Sequence, residues 1–134
     1  MVRFTGLTTV TNKIILVVDD SRTMTLSLRS NLEHNGFSVV TAVDGVDALE
    51  KLKAGLKPDL IITDIKMPRM DGLELIREIK LLPEVRFVPI LTLTTENNPK
   101  KREASKQMGA TGWLVKPISG TDLIQVVKQV VPGA

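Results

Sequence analysis

The chain has 134 residues, enough for one domain, and hydrophobic residues make up 43% of it, enough to supply a core. The absence of Cys excludes disulfides, thiol catalysis and Cys-ligated metal, and no apolar run approaches the roughly 18 residues that a membrane span requires. A net charge of +3 is mildly basic, but 3% aromatic residues and no Tyr leave few rings on which nucleic-acid bases could stack.

The polar, Thr-rich residues 1–12 contain no secretory apolar stretch, so we expect a flexible leader on a cytoplasmic protein. Residues 13–131 form the predicted domain and 132–134 a short tail. Within the domain, apolar runs alternate about five times with segments of helical period. The predicted strands, each rich in Val, Ile, Leu or Phe, are 13–19, 37–42, 59–63, 87–93 and 112–115. The predicted helices are 21–35, 45–55, 72–81, 99–108 and 120–131.

Residues at the helix ends support these boundaries. Asp44 can cap the second helix, and Asn98 before Pro99 is a typical start for the fourth. Glycines expected in left-handed stops follow three of the helices: Gly36, Gly55 and Gly109. Five βα units of this length predict an α/β fold, a doubly wound parallel sheet of five strands with five helices and right-handed crossovers.

Acidic residues end two of the predicted strands. Asp19 and Asp20 follow the apolar run 14–18, and Asp64 follows the run 60–63. Because binding sites of doubly wound sheets lie at the carboxyl ends of the strands, these acids converge. Carboxylates about 4 Å apart repel by roughly 4 kcal/mol per pair at an effective dielectric near 20, so a proton or a hard cation must neutralise the cluster. Oxygen ligands favour Mg²⁺, which in turn suits phosphoryl chemistry.

Two further strand ends carry a hydroxyl pair, Thr94 and Thr95, and a cation, Lys116, followed by Pro117. With these residues the sequence closely resembles the receiver domain of two-component response regulators. The resemblance covers 13–131, and the motifs that carry it are VVDDS at 17–21, DIKMPRMDG at 64–72, LT at 93–94 and KP at 116–117. It implies a flavodoxin-like, CheY-like sheet of order 2-1-3-4-5.

The resemblance also implies the chemistry of the acids. Asp64 would be the phosphoacceptor, its carboxylate attacking the phosphohistidine of a histidine kinase to form a 4-aspartylphosphate. Asp20, Asp64 and the backbone carbonyl of Lys66 would bind Mg²⁺ directly, and Asp19 would hold it mainly through water. Lys116 would pair with Asp64 and then with the phosphoryl group.

Five positions are expected to act around the phosphoryl group. Thr94 would donate its hydroxyl to a phosphoryl oxygen, Trp113 matches the switch aromatic, and the bond before Pro117 is commonly cis in the family. We further expect Lys66 and Glu96 to pair over the phosphoryl group and slow its hydrolysis, which would make signal termination depend on a separate phosphatase or phosphate sink.

The expected function is that of a stand-alone, monomeric receiver that phosphorylates and dephosphorylates only itself. The segments LTTE at 93–96 and GATGWLVKP at 109–117 resemble the chemotaxis subgroup, whose client would be a flagellar motor switch protein. The resemblance places the client on the fourth helix, fifth strand and fifth helix. The basic residues on that helix are Lys100, Lys101, Arg102 and Lys106.

Simpler or different interpretations stay open from the sequence. Asp19 and Asp20 could simply cap the first helix instead of binding a metal, and Trp113 could be a static part of the core. The basic residues of the fourth helix could form an ordinary solvent-exposed face. His34 suits the C-terminus of the first helix better than a catalytic role. The chain could serve a phosphorelay outside chemotaxis. An aspartyl-phosphate hydrolase would share the acids and Mg²⁺, and a flavodoxin would share the fold, although Asp19 and Asp20 would repel a flavin phosphate.

Overall fold

A computed structural model describes residues 3–5, 8–10, 12–131 and 133 of the chain. The strands are β1 (Arg3–Thr5), β2 (Thr8–Val10), β3 (Ile14–Val18), β4 (Ser38–Ala42), β5 (Leu60–Thr63), β6 (Ile90–Thr94) and β7 (Gly112–Val115). The helices are α1 (Arg22–His34), α2 (Gly45–Lys53), α3 (Gly72–Lys80), α4 (Pro99–Gln107) and α5 (Gly120–Val130). All predicted helices and strands are therefore present, and most differ from the prediction by only one or two residues at an end.

Five of the strands form one parallel sheet of order β4-β3-β5-β6-β7. Counted within this sheet alone, the order is 2-1-3-4-5, which confirms the predicted fold. Ser21, Asp44 and Asn98 each cap the following helix through a side-chain oxygen, in the second and third cases at the predicted position. The three glycines predicted as left-handed stops all have positive φ angles.

The leader and tail are only partly described. The sequence predicts no strands in 1–12, whereas β1 and β2 pair there as a separate antiparallel sheet, with Arg3 opposite Val10. Residues 1, 2, 6, 7 and 11 lie outside the described residues, and so does the predicted tail apart from Gly133. The flexibility of the leader stays a prediction.

Alternation along the central strands supplies two apolar layers. On β3, Ile15 and Val17 face α1 and α5, while Leu16 and Val18 face α2 and α3. The first layer is completed mainly by Leu28, Leu32, Leu123, Ile124 and Val127, and the second by Ala48, Leu49, Leu52, Leu75, Ile76 and Ile79. Helices thus cover both faces of the sheet, and its carboxyl edge is left to the loops. Over the described part of the chain, no helix combines the length and apolar character needed to cross a bilayer.

The predicted start of the fourth strand is wrong. The apolar residues Phe87 and Val88 suggest a strand from 87, but β6 begins at Ile90 and Phe87 is 83% exposed. A turn in which the Val88 N–H donates to the Val85 carbonyl takes up this segment, and Pro89 has no N–H to give to a sheet. Phe87 is instead placed beside the guanidinium of Arg86, 4.7 Å from the ring centroid.

Helix α4 is the least anchored of the five. Its sequence suggests Ala104 and Met108 as the apolar contacts, but both are only half-buried and the buried residue of α4 is Ser105. The Ser105 hydroxyl donates to the Arg102 carbonyl of the same helix, at 2.8 Å. Because α4 buries so little apolar surface, it should be among the easier elements to displace.

Candidate functional site

Three carboxylates meet at the carboxyl edge of the sheet. The N–H of Asp64 donates to the Val18 carbonyl of β3, and the N–H of Asp19 donates to the Ala42 carbonyl of β4. This parallel pairing brings Asp19, Asp20 and Asp64 together, with one carboxylate oxygen of each within 4.8 Å of the others. Asp19 is buried, whereas Asp20 is exposed to solvent.

Lys116 enters the cluster from the end of β7. Its Nζ donates to Oδ2 of Asp19 at 2.7 Å and to Oδ2 of Asp64 at 3.0 Å. Burial alone lowers the pKa of this ammonium group, but the hydrogen bonds to the two carboxylates outweigh burial and raise the pKa above its ordinary value of 10.5. Lys116 is therefore a permanent cation at neutral pH.

The pairing of Lys116 with Asp19 is the part of this arrangement that sequence reasoning missed. The sequence predicts only the pair with Asp64. A signal was available in the position of Asp19 directly after the apolar run 14–18, because a carboxylate buried there needs a cationic partner and Lys116 lies at a strand end on the same edge of the sheet. Asp19 turns inward to Lys116 and also accepts the Ser21 N–H at 2.9 Å, while Asp20 faces solvent.

The donor set fits a hard divalent cation. Three carboxylates and one ammonium group leave a formal charge of −2, and the cluster offers oxygen atoms of the kind that Mg²⁺ prefers. A cleft of about 420 Å³ opens beside the acids. It is lined by Asp20, Ile65, Lys66, Met67, Pro68, Asp71 and Lys101, so that the 65–71 loop supplies most of its wall.

Both oxygens of the Asp64 carboxylate have donors. Oδ1 accepts the N–H of Ile65 at 2.6 Å, and Oδ2 accepts from Lys116. The loop that follows returns to the same place, because the N–H of Gly72 donates to the Ile65 carbonyl at 2.7 Å. A Cβ at position 72 would collide with the Asp64 carbonyl oxygen, so only Gly permits this approach.

Thr94 lies at the end of β6, fully buried, and its hydroxyl is engaged by the chain that follows it. Oγ1 accepts the N–H of Glu96 at 3.1 Å, and Oε1 of Glu96 in turn accepts the N–H of Asn98 at 3.1 Å. Oε2 of Glu96 lies 3.1 Å from Nζ of Lys66 and 3.6 Å from Nζ of Lys101. The pair Lys66–Glu96 is thus present, and Lys101 is a second cation that sequence reasoning did not include.

Trp113 occupies β7 opposite Thr92 of β6. Its side chain is half-buried, and its Nε1 is buried with no hydrogen-bond partner among the described residues. A groove of about 490 Å³ runs beside it between α4 and β7.

The Lys116–Pro117 peptide bond is cis, as the resemblance implies. His34 is exposed at the end of α1 away from the acids, since Ser21, at the other end, adjoins them.

Comparisons with known proteins agree with this site. Residues 15–128 match the response regulator receiver domain. Response regulator MprA of Mycobacterium sp. (strain KMS) is 43% identical over 110 residues, 82% of this chain and 46% of MprA. The chain thus spans about half the length of the curated relatives it matches. The structure of chemotaxis protein CheY4 of Vibrio cholerae has 38% identity and a TM-score of 0.84, covering 90% of this chain and 99% of CheY4.

A third relative is the response regulator Rcp1, whose solved structure is a Mn²⁺-bound form. It is 26% identical, with a TM-score of 0.77, covering 91% of this chain and 96% of Rcp1. The family match spans most of the chain, and the acids, the lysine and the sheet order are those that the resemblance implies. The chain belongs to the response regulator receiver domains, which take phosphoryl groups from histidine kinases in two-component signalling.

Proposed function

We propose that Asp64 accepts a phosphoryl group from a phosphohistidine and that the phosphorylated domain presents a changed surface to a client protein. The observation that carries the proposal is the position of the Asp64 carboxylate. It is hydrogen-bonded to Lys116 and to the N–H of Ile65, and it lies in a cluster with two further acids, of which Asp20 lines the cleft.

In the proposed step, a carboxylate oxygen of Asp64 attacks phosphorus. The new O–P bond forms as the N–P bond of the phosphohistidine breaks, and the electron pair of that bond remains on the imidazole nitrogen. Asp20, Asp64 and the Lys66 carbonyl, with Asp19 through water, would hold the Mg²⁺ ion, whose charge offsets that of the phosphoryl oxygens. Lys116 already binds Asp64, and after the transfer its ammonium group would bind an oxygen of the phosphoryl group on Asp64. The Mn²⁺-bound form of the relative Rcp1 supports a divalent ion at such a site.

The test is phosphorylation by phosphoramidate in the presence of Mg²⁺, followed by intact mass. The parent should gain one phosphate, and Asp64→Asn should gain none because the amide is not an anionic nucleophile. Asp71→Asn is the matched control, since Asp71 lies in the same loop and Asn caps helix α3 equally well. Full-rate labelling of Asp64→Asn, with loss of labelling in Asp71→Asn, would reject the assignment.

We also propose that the chain acts only on its own phosphate. The cleft beside Asp20 is bordered by the short 65–71 loop, and within residues 12–131 no inserted segment could cover a substrate there. Incubation with small phosphate esters should therefore release no more than one phosphate per chain over the lifetime of the acyl phosphate. Continued release at many equivalents would instead favour an aspartyl-phosphate hydrolase.

The proposed output switch involves Thr94 and Trp113. The Thr94 hydroxyl now accepts the Glu96 N–H, and on phosphorylation it would donate to a phosphoryl oxygen, drawing the start of the 95–98 segment with it. Trp113 would then move into the space that Thr94 leaves. As Trp113 is the sole Trp, its fluorescence should change on phosphorylation of the parent and not in Asp64→Asn. An unchanged spectrum under verified phosphorylation would leave Trp113 as static core.

For the client, we propose a chemotaxis protein, the flagellar motor switch. The likeness to CheY4, which is a chemotaxis protein, supports this proposal. The client face of α4, β7 and α5 carries the exposed Lys100, Arg102 and Lys106. An acidic peptide with apolar anchors should bind it faster at low salt. Salt-independent binding or a footprint on α1 alone would contradict this assignment.

The likeness to MprA favours a second candidate, a receiver that serves a phosphorelay outside chemotaxis. A pull-down from the host lysate with phosphorylated and unphosphorylated protein distinguishes the two. Phosphate-dependent capture of a motor switch protein would support chemotaxis, and phosphate-dependent capture of other clients alone would support the second candidate.

A further inference from the structure

Arg69 makes the strongest polar contact of the 65–71 loop, and it does so with another loop. Its Nε donates to Oδ2 of Asp44 at 2.6 Å and its Nη2 donates to Oδ1 at 3.0 Å. This is a bidentate contact, in which the planar guanidinium fits both carboxylate oxygens. Asp44 is buried, and its Oδ1 also accepts the N–H of Asp47 at 2.8 Å as the N-cap of α2.

The backbone of Arg69 is the centre of a tight turn, which the Met70 N–H closes by donating to the Pro68 carbonyl at 2.7 Å. Its φ of 65° lies in the left-handed region, and no other non-glycine residue in the described part of the chain has a positive φ. Such a conformation persists in a residue with a Cβ only where the surroundings determine it. Here the conformation accompanies the two hydrogen bonds to Asp44.

A second contact joins the same two segments. A Cβ on Gly45, the first residue of α2, would lie 2.8 Å from Cγ of Met70 and 3.0 Å from its carbonyl oxygen. Met70 therefore packs directly on the first turn of α2, next to the Arg69–Asp44 pair. The tip of the loop is attached to α2 by both an ion pair and close packing.

The base of the same loop is attached to the site. Ile65 donates its N–H to Asp64 and accepts the N–H of Gly72, so the loop leaves and returns at the phosphoacceptor. Lys66, whose carbonyl is the expected Mg²⁺ ligand, lies between this base and the tip. The Lys66 side chain is 68% exposed and pairs with Glu96 through one contact of 3.1 Å, whereas Arg69, 56% exposed, makes two contacts with a carboxylate side chain that is 5% exposed. The Lys66 pair therefore constrains the backbone less than the Arg69 pair.

We propose that Arg69 is a positioning residue for the Mg²⁺ site: by binding Asp44, it holds the 65–71 loop, and with it the Lys66 backbone, beside the acid cluster. This inference rests on the proposed function. The guanidinium also holds the pKa of the Asp44 carboxyl below its ordinary 3.8, the effect of that hydrogen bond exceeding the opposing effect of burial. The pair therefore remains charged and intact across the pH range in which Mg²⁺ binds carboxylates.

The experiment measures Mg²⁺ affinity by amide NMR shifts around Ile65, a readout that does not depend on phosphorylation. Arg69→Ala should weaken Mg²⁺ binding about threefold to tenfold, and saturating Mg²⁺ should restore the phosphorylation rate. Arg77→Ala is the matched control, because Arg77 is an exposed guanidinium on α3 that forms no ion pair with any described residue. The Arg77→Ala variant should bind Mg²⁺ with the same affinity as the parent.

Two further variants guard against a purely structural effect. Arg69→Lys keeps the positive charge but loses the planar guanidinium that contacts both carboxylate oxygens of Asp44. Asp44→Asn can still cap the N-terminus of α2, but it has no negative charge to pair with Arg69. Each should weaken Mg²⁺ binding in the same direction, and Arg69→Ala should add little to Asp44→Asn in the double variant. Folded Arg69 and Asp44 variants that bind Mg²⁺ as tightly as Arg77→Ala would overturn the proposal. A parent that binds no Mg²⁺ would instead refute the proposed function itself.

Discussion

The two sides of the acid cluster are built differently. On one side, which we call the loop side, the 65–71 loop is attached to α2 by Arg69 and Met70, and Gly72 holds its two ends together by bonding to Ile65 and packing against the Asp64 backbone. On the other, the helix side, the 95–98 segment leads into α4, whose buried residue is the polar Ser105. The ion pairs of the helix side are long or exposed, with Lys66 3.1 Å and Lys101 3.6 Å from Glu96.

This contrast suits a phosphorylation switch. In the proposed mechanism, the loop side would keep the expected Mg²⁺ ligands and Asp64 in a constant arrangement, which is what accurate phosphoryl transfer needs. The helix side buries little apolar area, so we expect that a modest change at Thr94 would displace it. The proposal therefore assigns catalysis to the loop side and output to the helix side.

The largest expected effect comes from adding one methyl group to the loop side, compared with one added in β7 away from the acids. Gly72→Ala places a Cβ against the Asp64 carbonyl, which belongs to the backbone and cannot give way, and it should lower the free energy of unfolding by about 2 kcal/mol. Gly112→Ala in β7 meets only the side chain of Leu91, at 3.0 Å, and should cost under about 1 kcal/mol. Urea unfolding measures both. Equal losses, or a larger loss for Gly112→Ala, would show that the close approach of Gly72 to the Asp64 backbone does not constrain the loop side.

A smaller effect is expected on the lifetime of the acyl phosphate. Lys66→Asn removes the side chain that reaches Glu96 over the cleft, and it should speed hydrolysis by about threefold to tenfold, since about 1.4 kcal/mol in barrier is tenfold in rate. Formation of the acyl phosphate should persist. Decay followed by intact mass measures this, and decay at the parent rate or slower would show that only the Lys66 backbone matters.

Two adjacent lysines on α4 test whether the contacts of Glu96 control the hydrolysis rate. Lys101→Ala removes the second cation at Glu96 and should speed hydrolysis by about twofold, while Lys100→Ala removes the same charge one residue away without touching Glu96. The difference in hydrolysis rate between the two variants separates the effect of the Lys101–Glu96 contact from the effect of the positive charge of α4 as a whole. Identical decay in both would assign any effect to net charge.

The smallest effect is a shift in the titration of Glu96. The hydrogen-bonded Lys66 ammonium lowers the pKa of this carboxyl below its ordinary 4.5, against the opposing effect of burial. Because the folded pKa is below the unfolded one, the contribution of the pair is complete above pH 4.5 and is lost as the pH falls through the folded pKa. In Lys66→Asn the pKa should rise toward 4.5, as carboxyl ¹³C NMR would measure. An unchanged pKa would mean that the pair does not persist in solution.

The sequence predicts the local features of this fold better than its long-range polar pairs. Strands, caps such as Asp44, and the stops at glycines depend on neighbours a few residues away, and they are present as predicted. The contact between Arg69 and Asp44 joins residues 25 apart in different loops, and no periodic pattern marks it. The exposure of Phe87 and the burial of Ser105 were also missed, because apolarity alone does not reveal which faces the tertiary structure covers.

Family resemblance extended the prediction to the chemistry of the site. The apolar runs already place Asp64, Lys116 and Thr94 at strand ends, where the structure has them. The resemblance adds their roles around a phosphoryl group, which stay predictions. It could not supply the contacts that depend on this chain's own side chains, such as that of Lys101 with Glu96. Those contacts require the relative positions of a loop and a helix that only the packed fold determines.

Hydrogen exchange on the parent and Asp64→Asn, each with Mg²⁺ and with and without phosphoramidate, tests the central claim most directly. The account predicts that phosphorylation of the parent changes exchange in the 95–108 region and near Trp113, while amides of 44–47 and 65–72 change far less. Asp64→Asn should show no change in either region. Changes of equal size on both sides of the site, or changes in the 95–108 region that persist in Asp64→Asn, would contradict it.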